Sequence, residues 1–369
     1  MTIRFVHCSD LHLGAPFSML PRESADRRRA DQRETFARIV DLALGQPERA
    51  DLFLVAGDMF DSDRPAPRDV AFARGQLERL DAAGVKTFIV PGNHDPFRNG
   101  GFWSKAAFPC AKLFTLNDFE CVELRSLGIS VCGIAPDVSK PAVNQLASFS
   151  FPLSSGASVL LYHGSWLNFG ADSADCHPFS TEDVERLPFN YIALGHYHAF
   201  RDVANASARA AYPGAPEGLG FSKNDLGDRF VMVGTISDAG KVQAEPHKIN
   251  RVAHALQEID CTAESETSLR QKIAAVASPA SYTRVVLSGR PPAELLAAAE
   301  RLGQELADSC AYLGIETRFA SVADAPVDNQ YLRRFVEMMQ ARIETAPADR
   351  KPLLNKALEL GIRAFLKDG

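Results

Sequence analysis

The chain has no C-x-x-C pair, no apolar run long enough to cross a bilayer and no surplus of positive charge, and each absence removes a class of protein. Its seven cysteines, Cys8, Cys110, Cys121, Cys132, Cys176, Cys261 and Cys310, are scattered singly, which gives no signal for a structural zinc or a dithiol redox motif. Reduced thiols in a cytoplasmic protein are the expectation. No segment approaches the roughly 20 apolar residues of a membrane span. The start, Met1 to His7, lacks a basic stretch followed by an apolar core, so it reads as a buried strand and not as a leader. The formal net charge of -6 excludes a chain that coats nucleic acid through bulk positive charge. A polyanion would have to be held by local patches or by bound metal ions.

At 369 residues the chain exceeds the size, roughly 250 to 300 residues, at which one core stops growing. The pattern divides it into an α/β domain over 1–249, a cap over 250–325 and a C-terminal helix-loop-helix over 326–369. In the first part, apolar strand-like runs recur at Ile3 to Cys8, Leu52 to Ala56, Val85 to Val90, Ser158 to Tyr162 and Tyr191 to Leu194. Helix-like stretches, Ala25 to Leu44 and Arg68 to Ala82, separate the first three. Arg229 to Ile236 and Lys241 to His247 flank the turn Ser237-Asp238-Ala239-Gly240 and predict a hairpin that completes a second sheet. The cap reads β-α-β-α-β: Ala253 to Ile259, Glu266 to Ala277, Tyr282 to Leu287, Ala293 to Tyr312, Glu316 to Ala320. The tail carries two apolar helical stripes, Leu332, Phe335, Met339, Ile343 and Leu354, Leu358, Ile362, Phe365, broken at Pro347-Ala348-Asp349.

Five short polar motifs each follow an apolar run: Asp10-Leu11-His12-Leu13-Gly14, Gly57-Asp58-Met59-Phe60-Asp61, Gly92-Asn93-His94-Asp95, His163-Gly164 and Gly195-His196-Tyr197-His198. In an α/β sheet, residues just beyond the carboxyl ends of strands converge in one crevice. Residues i and i+2 of an extended backbone point to one side, so Asp10 with His12, and His196 with His198, can each aim two groups into it. Five of the nine histidines fall in these motifs. Oxygen and imidazole donors suit manganese, iron or zinc and argue against a thiolate site. Two ions roughly 3.5 to 4 Å apart need a shared ligand, and Asp58 is the candidate bridge. The other histidines, His7, His177, His247 and His254, read as structural, with His177 placed in a polar loop from which it could reach substrate.

In order and spacing, the five motifs resemble those of the calcineurin-like metallophosphoesterases over roughly the first 200 residues. The resemblance implies a two-sheet sandwich with helices outside. It implies one divalent ion held by Asp10, His12, Asp58 and His198, and a second by Asp58, Asn93, His163 and His196, with manganese the expected metal and iron or zinc the alternatives. His94 would face substrate, orienting the phosphate or protonating the leaving oxygen, and Asp61 would pair with it as the second catalytic residue. The reaction implied is in-line attack on phosphorus by metal-bound hydroxide.

The run from Tyr212-Pro213-Gly214 to Phe221, followed by the cap and helical tail, is similar to the bacterial double-strand-break repair exonucleases, the SbcD-like and YhaO-like branch. That likeness implies DNA as substrate and an SMC-like ATPase as partner of the tail, and it allows a homodimer. Archaeal and eukaryotic relatives carry histidine where this chain has Asp61, so their substrate details do not transfer. The arginines at 22, 27, 28, 29, 33 and 38 are offset by Glu23, Asp26, Asp31 and Glu34 and read as a solvated helix face. A small-molecule or nucleotide phosphodiesterase and a scaffold tethering DNA ends or an ATPase are the competing readings.

Overall fold

The computed structural model describes the chain apart from residues 1, 46–47, 106–107, 116–118, 151–152, 154–155, 168–175, 204–208, 290, 292, 320–329, 348 and 368–369. It falls into two compact units, Met1–Ala253 and His254–Gly369. In the first, the elements run β1 (Ile3–Cys8), α1 (Arg22–Leu44), β2 (Leu52–Ala56), α2 (Pro67–Ala82), β3 (Lys86–Val90), α3 (Phe102–Lys105), β4 (Ala111–Leu113), β5 (Glu120–Leu124), β6 (Ile129–Ile134), β7 (Ala157–His163), α4 (Thr181–Arg186), β8 (Tyr191–Gly195), β9 (Arg201–Asp202), β10 (Arg209–Tyr212), β11 (Phe230–Ile236) and β12 (Val242–Lys248).

They form two six-stranded sheets, β12-β11-β1-β2-β3-β4 and β5-β6-β7-β8-β10-β9. The central strands are parallel in both: β1 to β4 in the first, β6, β7, β8 and β10 in the second. Side chains alternate between faces with period two. Phe5, Leu52, Leu54 and Phe88 meet Val131, Val159, Leu161 and Ala193 between the sheets. Val6, Phe53 and Val55 turn outward onto Phe36, Ile39 and Leu77 of α1 and α2. On the far side, Leu160, Tyr162 and Ile192 pack on Phe179 and Val184. A strand apolar on both faces must be covered twice, and that requirement produces the α/β sandwich.

Three expectations are corrected here. The hairpin β11–β12 forms, with Gly240 N–H donating to Ser237 O at 2.8 Å. It joins the first sheet, however, with β11 antiparallel to β1, because β1 leaves an edge open that only another strand can pair. The second sheet is built from β5, β6, β9 and β10 beside β7 and β8, and the apolar-run pattern passed over those four. The cysteines are not all reduced: Cys121 and Cys132 form a disulfide. They stand opposite each other across the antiparallel pair β5–β6, with Cα atoms 4.0 Å apart, a proximity that a separation of 11 residues does not announce.

The second unit begins with β13 (Ala253–Asp260), which starts at the unit boundary, and continues α5 (Glu266–Val276), β14 (Ser281–Gly289), α6 (Ala293–Leu306) and β15 (Tyr312–Phe319). The three strands make one sheet in the order β13-β14-β15. Ser265 caps α5 in a reciprocal capping box with Ser268. The helix expected to reach Tyr312 stops at Leu306, and β15 begins earlier than expected, because it pairs in parallel with β14 from Tyr282↔Tyr312 to Gly289↔Phe319. Pairing along a whole strand outweighs local helix preference. Two further helices, α7 (Gln330–Thr345) and α8 (Lys351–Lys367), pack through Leu332 and Val336 against Leu358 and Ile362. The side chain of Phe365, and Pro326 where the tail was expected to begin, lie outside the described residues. No helix among the described residues is long and apolar enough to cross a membrane.

Candidate metal centre

The five motifs occupy the carboxyl ends of β1, β2, β3, β7 and β8 and the loops that follow them, and contacts between the two sheets bring these ends together. The Nδ1–H of His163 donates to Ala56 O at 2.9 Å, tying the end of β7 to the end of β2. The N–H of His196 donates to both oxygens of Asp10, at 3.0 and 3.2 Å. Gly195 makes this approach possible, since a Cβ there would lie 1.7 Å from Ala56 O.

Convergence does not come from extended backbone as the i, i+2 spacing suggested. Asp10 (φ 53), His12 (φ 44) and Asp58 (φ 49) adopt left-handed conformations, and His196 stands at φ 116. Each such residue costs on the order of 1–3 kcal/mol, and such residues cluster where the surrounding structure overdetermines them. Here the loop after β1 is laced to the loop after β2, with Asp10 N–H to Gly57 O, His12 N–H to Asp58 O and Leu13 N–H to Met59 O all at 3.0 Å. Turns aim these side chains.

Asp58 sits at the middle, 1% exposed. Its Oδ2 lies 3.4 Å from His163 Nε2 and 3.6 Å from His12 Nε2, and its Oδ1 accepts from the N–H of His94 at 2.8 Å. On one side Asp10, His12 and His198 bring donor atoms within 4.8 Å of one another. On the other, Asn93 Oδ1 lies 2.9 Å from His163 Nε2 and 3.1 Å from His196 Nδ1. All seven expected ligands therefore share one crevice. His94 stands exposed beside it, its ring 4.6 Å from that of His12 between centroids.

The ring nitrogens show what the crevice is built for. A His163 that donates from Nδ1 to Ala56 O presents Nε2 inward as a lone pair when neutral. His198 is bound through Nδ1 to Asp225 Oδ1 at 3.3 Å. His12 is bound through Nδ1 to Asp61 Oδ1 at 3.1 Å, and its Nε2 is buried with no hydrogen-bond partner. A buried nitrogen left facing carboxylates and imidazoles is unfavourable unless a cation completes it. The residues fit a divalent metal.

The electrostatics agree. Burial alone would raise the Asp58 carboxyl, but the neighbouring His163 and His12 hold it below the usual carboxylate range. Burial disfavours a charged His163, yet Asp58 outweighs it and pushes the ring up to about 9. His196 is pushed down to about 4 by burial and by the charge of His163. The carboxylates call for positive charge, which protonated His163 supplies and which a metal ion would take over on displacing that proton.

Several assignments change. Asp61 pairs with His12 and not with His94, because the left-handed turn at His12 swings its ring between Asp58 and Asp61. The structural reading of His177 stands, its Nε2 accepting from Asp137 N–H at 2.9 Å and its Nδ1 bonded to Val143 O at 3.2 Å. Arg28 is not on a solvated face: it is fully buried between Asp31 and Glu217, at 2.9 and 2.6 Å. Two residues had no role assigned from the sequence, Asp95 of the third motif and Asp225. Asp95, pushed up to about 8 by burial and by Asp58, accepts from Gly92 and Phe60 N–H at 2.8 and 3.0 Å and so ties the third motif to the second. Asp225 was hidden because it lies 27 residues from the histidine it contacts.

The calcineurin-like phosphoesterase family matches residues 3–200. Among curated proteins, the chain is 26% identical over 311 residues, 80% of its length and 74% of the relative's, to the uncharacterized metallophosphoesterase YhaO of Bacillus subtilis. It is 28% identical over 208 residues to the DNA double-strand break repair protein Mre11 of Sulfurisphaera tokodaii, covering 54% of this chain and 49% of that one. Its identity to Mre11 of Aeropyrum pernix is 29% over 241 residues, covering 58% and 54%. The chain thus spans about half the length of these archaeal relatives. With the family match extending over more than half of the chain and all five motifs inside it, the protein belongs to the calcineurin-like phosphoesterases.

Proposed function

We propose that this chain is a two-metal phosphodiesterase that acts on DNA as a repair nuclease subunit. The observation that carries the reading is a pair of donor sets sharing one buried carboxylate: Asp10, His12 and His198 on one side of Asp58, Asn93, His163 and His196 on the other. Asp58 would hold both ions and each set one, with manganese the expected metal and iron or zinc the alternatives. Bound there, two divalent ions would supply Lewis acidity and a nucleophile at neutral pH. The chain's own groups do the rest. Asp58 fixes the His94 backbone, which places that exposed imidazole at the crevice mouth to orient a phosphate or to give a proton to the leaving oxygen. His163, held by Ala56 O, and His12, held by Asp61, keep their inward nitrogens aimed without reorganisation. Two divalent charges at such a crevice would draw in a phosphodiester despite the acidic net charge.

DNA as the substrate is supported by the double-strand break repair relatives and by the Tyr212-Pro213-Gly214 loop. An ATPase partner is supported by the tail, where Tyr331 and Met338 on α7 and Leu353 and Leu360 on α8 are 69, 60, 72 and 55% exposed. Apolar residues seven apart on each helix suit a coiled coil. The test is purified protein with manganese, offered linear duplex DNA, single-stranded DNA and a generic phosphodiester. Cleavage of DNA is expected. Turnover of the small ester alone would move the assignment to a small-molecule phosphodiesterase, and metal binding without turnover would leave a scaffold.

A further inference from the structure

His198 differs from the other candidate ligands in being gripped from outside by one continuous loop. Ala215 N–H donates to the His198 carbonyl at 3.0 Å. Gly214, at φ +83, packs so close that a Cβ would lie 2.3 Å from that same carbonyl. Eleven residues after Gly214, Asp225 reaches the ring: its Oδ1 lies 3.3 Å from Nδ1. Asp225 is itself fixed, since Oδ1 also accepts from Leu219 N–H at 3.2 Å and Oδ2 from the Ser222 hydroxyl at 2.6 Å. The loop is pinned by buried Arg229, whose guanidinium donates to Ala215 O and to Asn224 O, both at 2.8 Å. Backbone and ring of one histidine are therefore set by a single clamp.

We propose that the segment from Gly214 to Asp225 is the orienting device of His198, and that Asp225 is a positioning residue that selects the tautomer with Nε2 facing Asp10 and His12. An imidazole bonded through Nδ1 to a carboxylate keeps its other nitrogen as the donor and gains basicity. The inference rests on the two-metal reading above and deepens it, since Asp225 would act on one ion only.

Manganese titration of the full chain, read by calorimetry and by metal analysis after gel filtration, tests it. The wild type is expected to bind two ions. In Asp225→Ala one ion should weaken about 10- to 100-fold, the usual cost of losing an outer partner of a ligating histidine, while the other keeps its affinity. Asp225→Asn, whose amide oxygen still accepts from Nδ1, should recover most of the loss. Ser222→Ala, at an exposed position, should weaken the same ion less, and it carries the test if Asp225→Ala fails to fold. Two ions at wild-type affinity in Asp225→Ala overturn the assignment, as does equal weakening of both ions with no recovery in Asp225→Asn. A wild type that binds no manganese overturns the two-metal reading, and the inference with it.

Discussion

Replacing Gly195 by alanine should damage the centre without touching a ligand. The added Cβ would lie 1.7 Å from Ala56 O and 2.9 Å from His163 Nδ1. To reach even 3.0 Å from the carbonyl, the ends of β2 and β8 must part by at least 1.3 Å. Neither can yield alone, because Ala56 O holds His163 Nδ1 at 2.9 Å and Gly195 O accepts from Gly164 N–H at 3.1 Å. Overpacking of this kind costs roughly 1–3 kcal/mol, and with backbone as the obstacle the upper end applies. A displacement of about 1 Å in catalytic geometry costs on the order of 100-fold in rate. The expected result is a lower urea midpoint, reduced metal content and at least that loss in phosphodiester hydrolysis. Gly75→Ala is the control: inside α2 with nothing within 4 Å of the new Cβ, it should stabilise by about 0.5–1 kcal/mol and leave turnover alone. A Gly195→Ala protein with wild-type stability, metal content and turnover would refute the close-approach argument.

Asp58→Ala should empty both metal positions and abolish hydrolysis, and elemental analysis that still finds two ions per chain would remove its bridging role. His94→Ala should retain both metals and bind DNA nearly as well, yet cut far more slowly, because only transition-state interactions are lost; unchanged turnover would count against the substrate-facing role. Asp61→Asn should act through His12, lowering metal affinity by about 10-fold, and a pure turnover defect with full metal retention would restore the His94 pairing. Reduction of Cys121–Cys132, which closes a loop of 11 residues' separation, should lower stability by about 2–3 kcal/mol, read as a shift in urea midpoint, with peptide mass mapping under non-reducing conditions confirming the bridge.

The order of polar motifs behind apolar runs was legible in the sequence because each strand is buried on both faces and each motif begins within two residues of the strand's end. Those runs located β1, β2, β3, β7 and β8, and with them Asp10, His12, Asp58, Asn93, His163, His196 and His198. The helix-like stretches of α1 and α2 and the apolar stripes of α7 and α8 were legible too, since helix-forming pattern and 3.6-residue periodicity are local. What the sequence could not carry was pairing between segments far apart. Whether β11–β12 extended the first or the second sheet depended on which edge was open, and strands as short as β9 and β10 exist only because a neighbour completes their ladder. The Cys121–Cys132 bridge, the transfer of Asp61 from His94 to His12, the burial of Arg28 against Glu217 and the grip of Asp225 on His198 all join residues brought close by the tertiary structure. The left-handed turns at Asp10, His12 and Asp58 belong with these. A positive φ is uncommon at any residue with a side chain, and the bonds from Asp10 N–H to Gly57 O and from His12 N–H to Asp58 O that hold this backbone reach the loop of another strand.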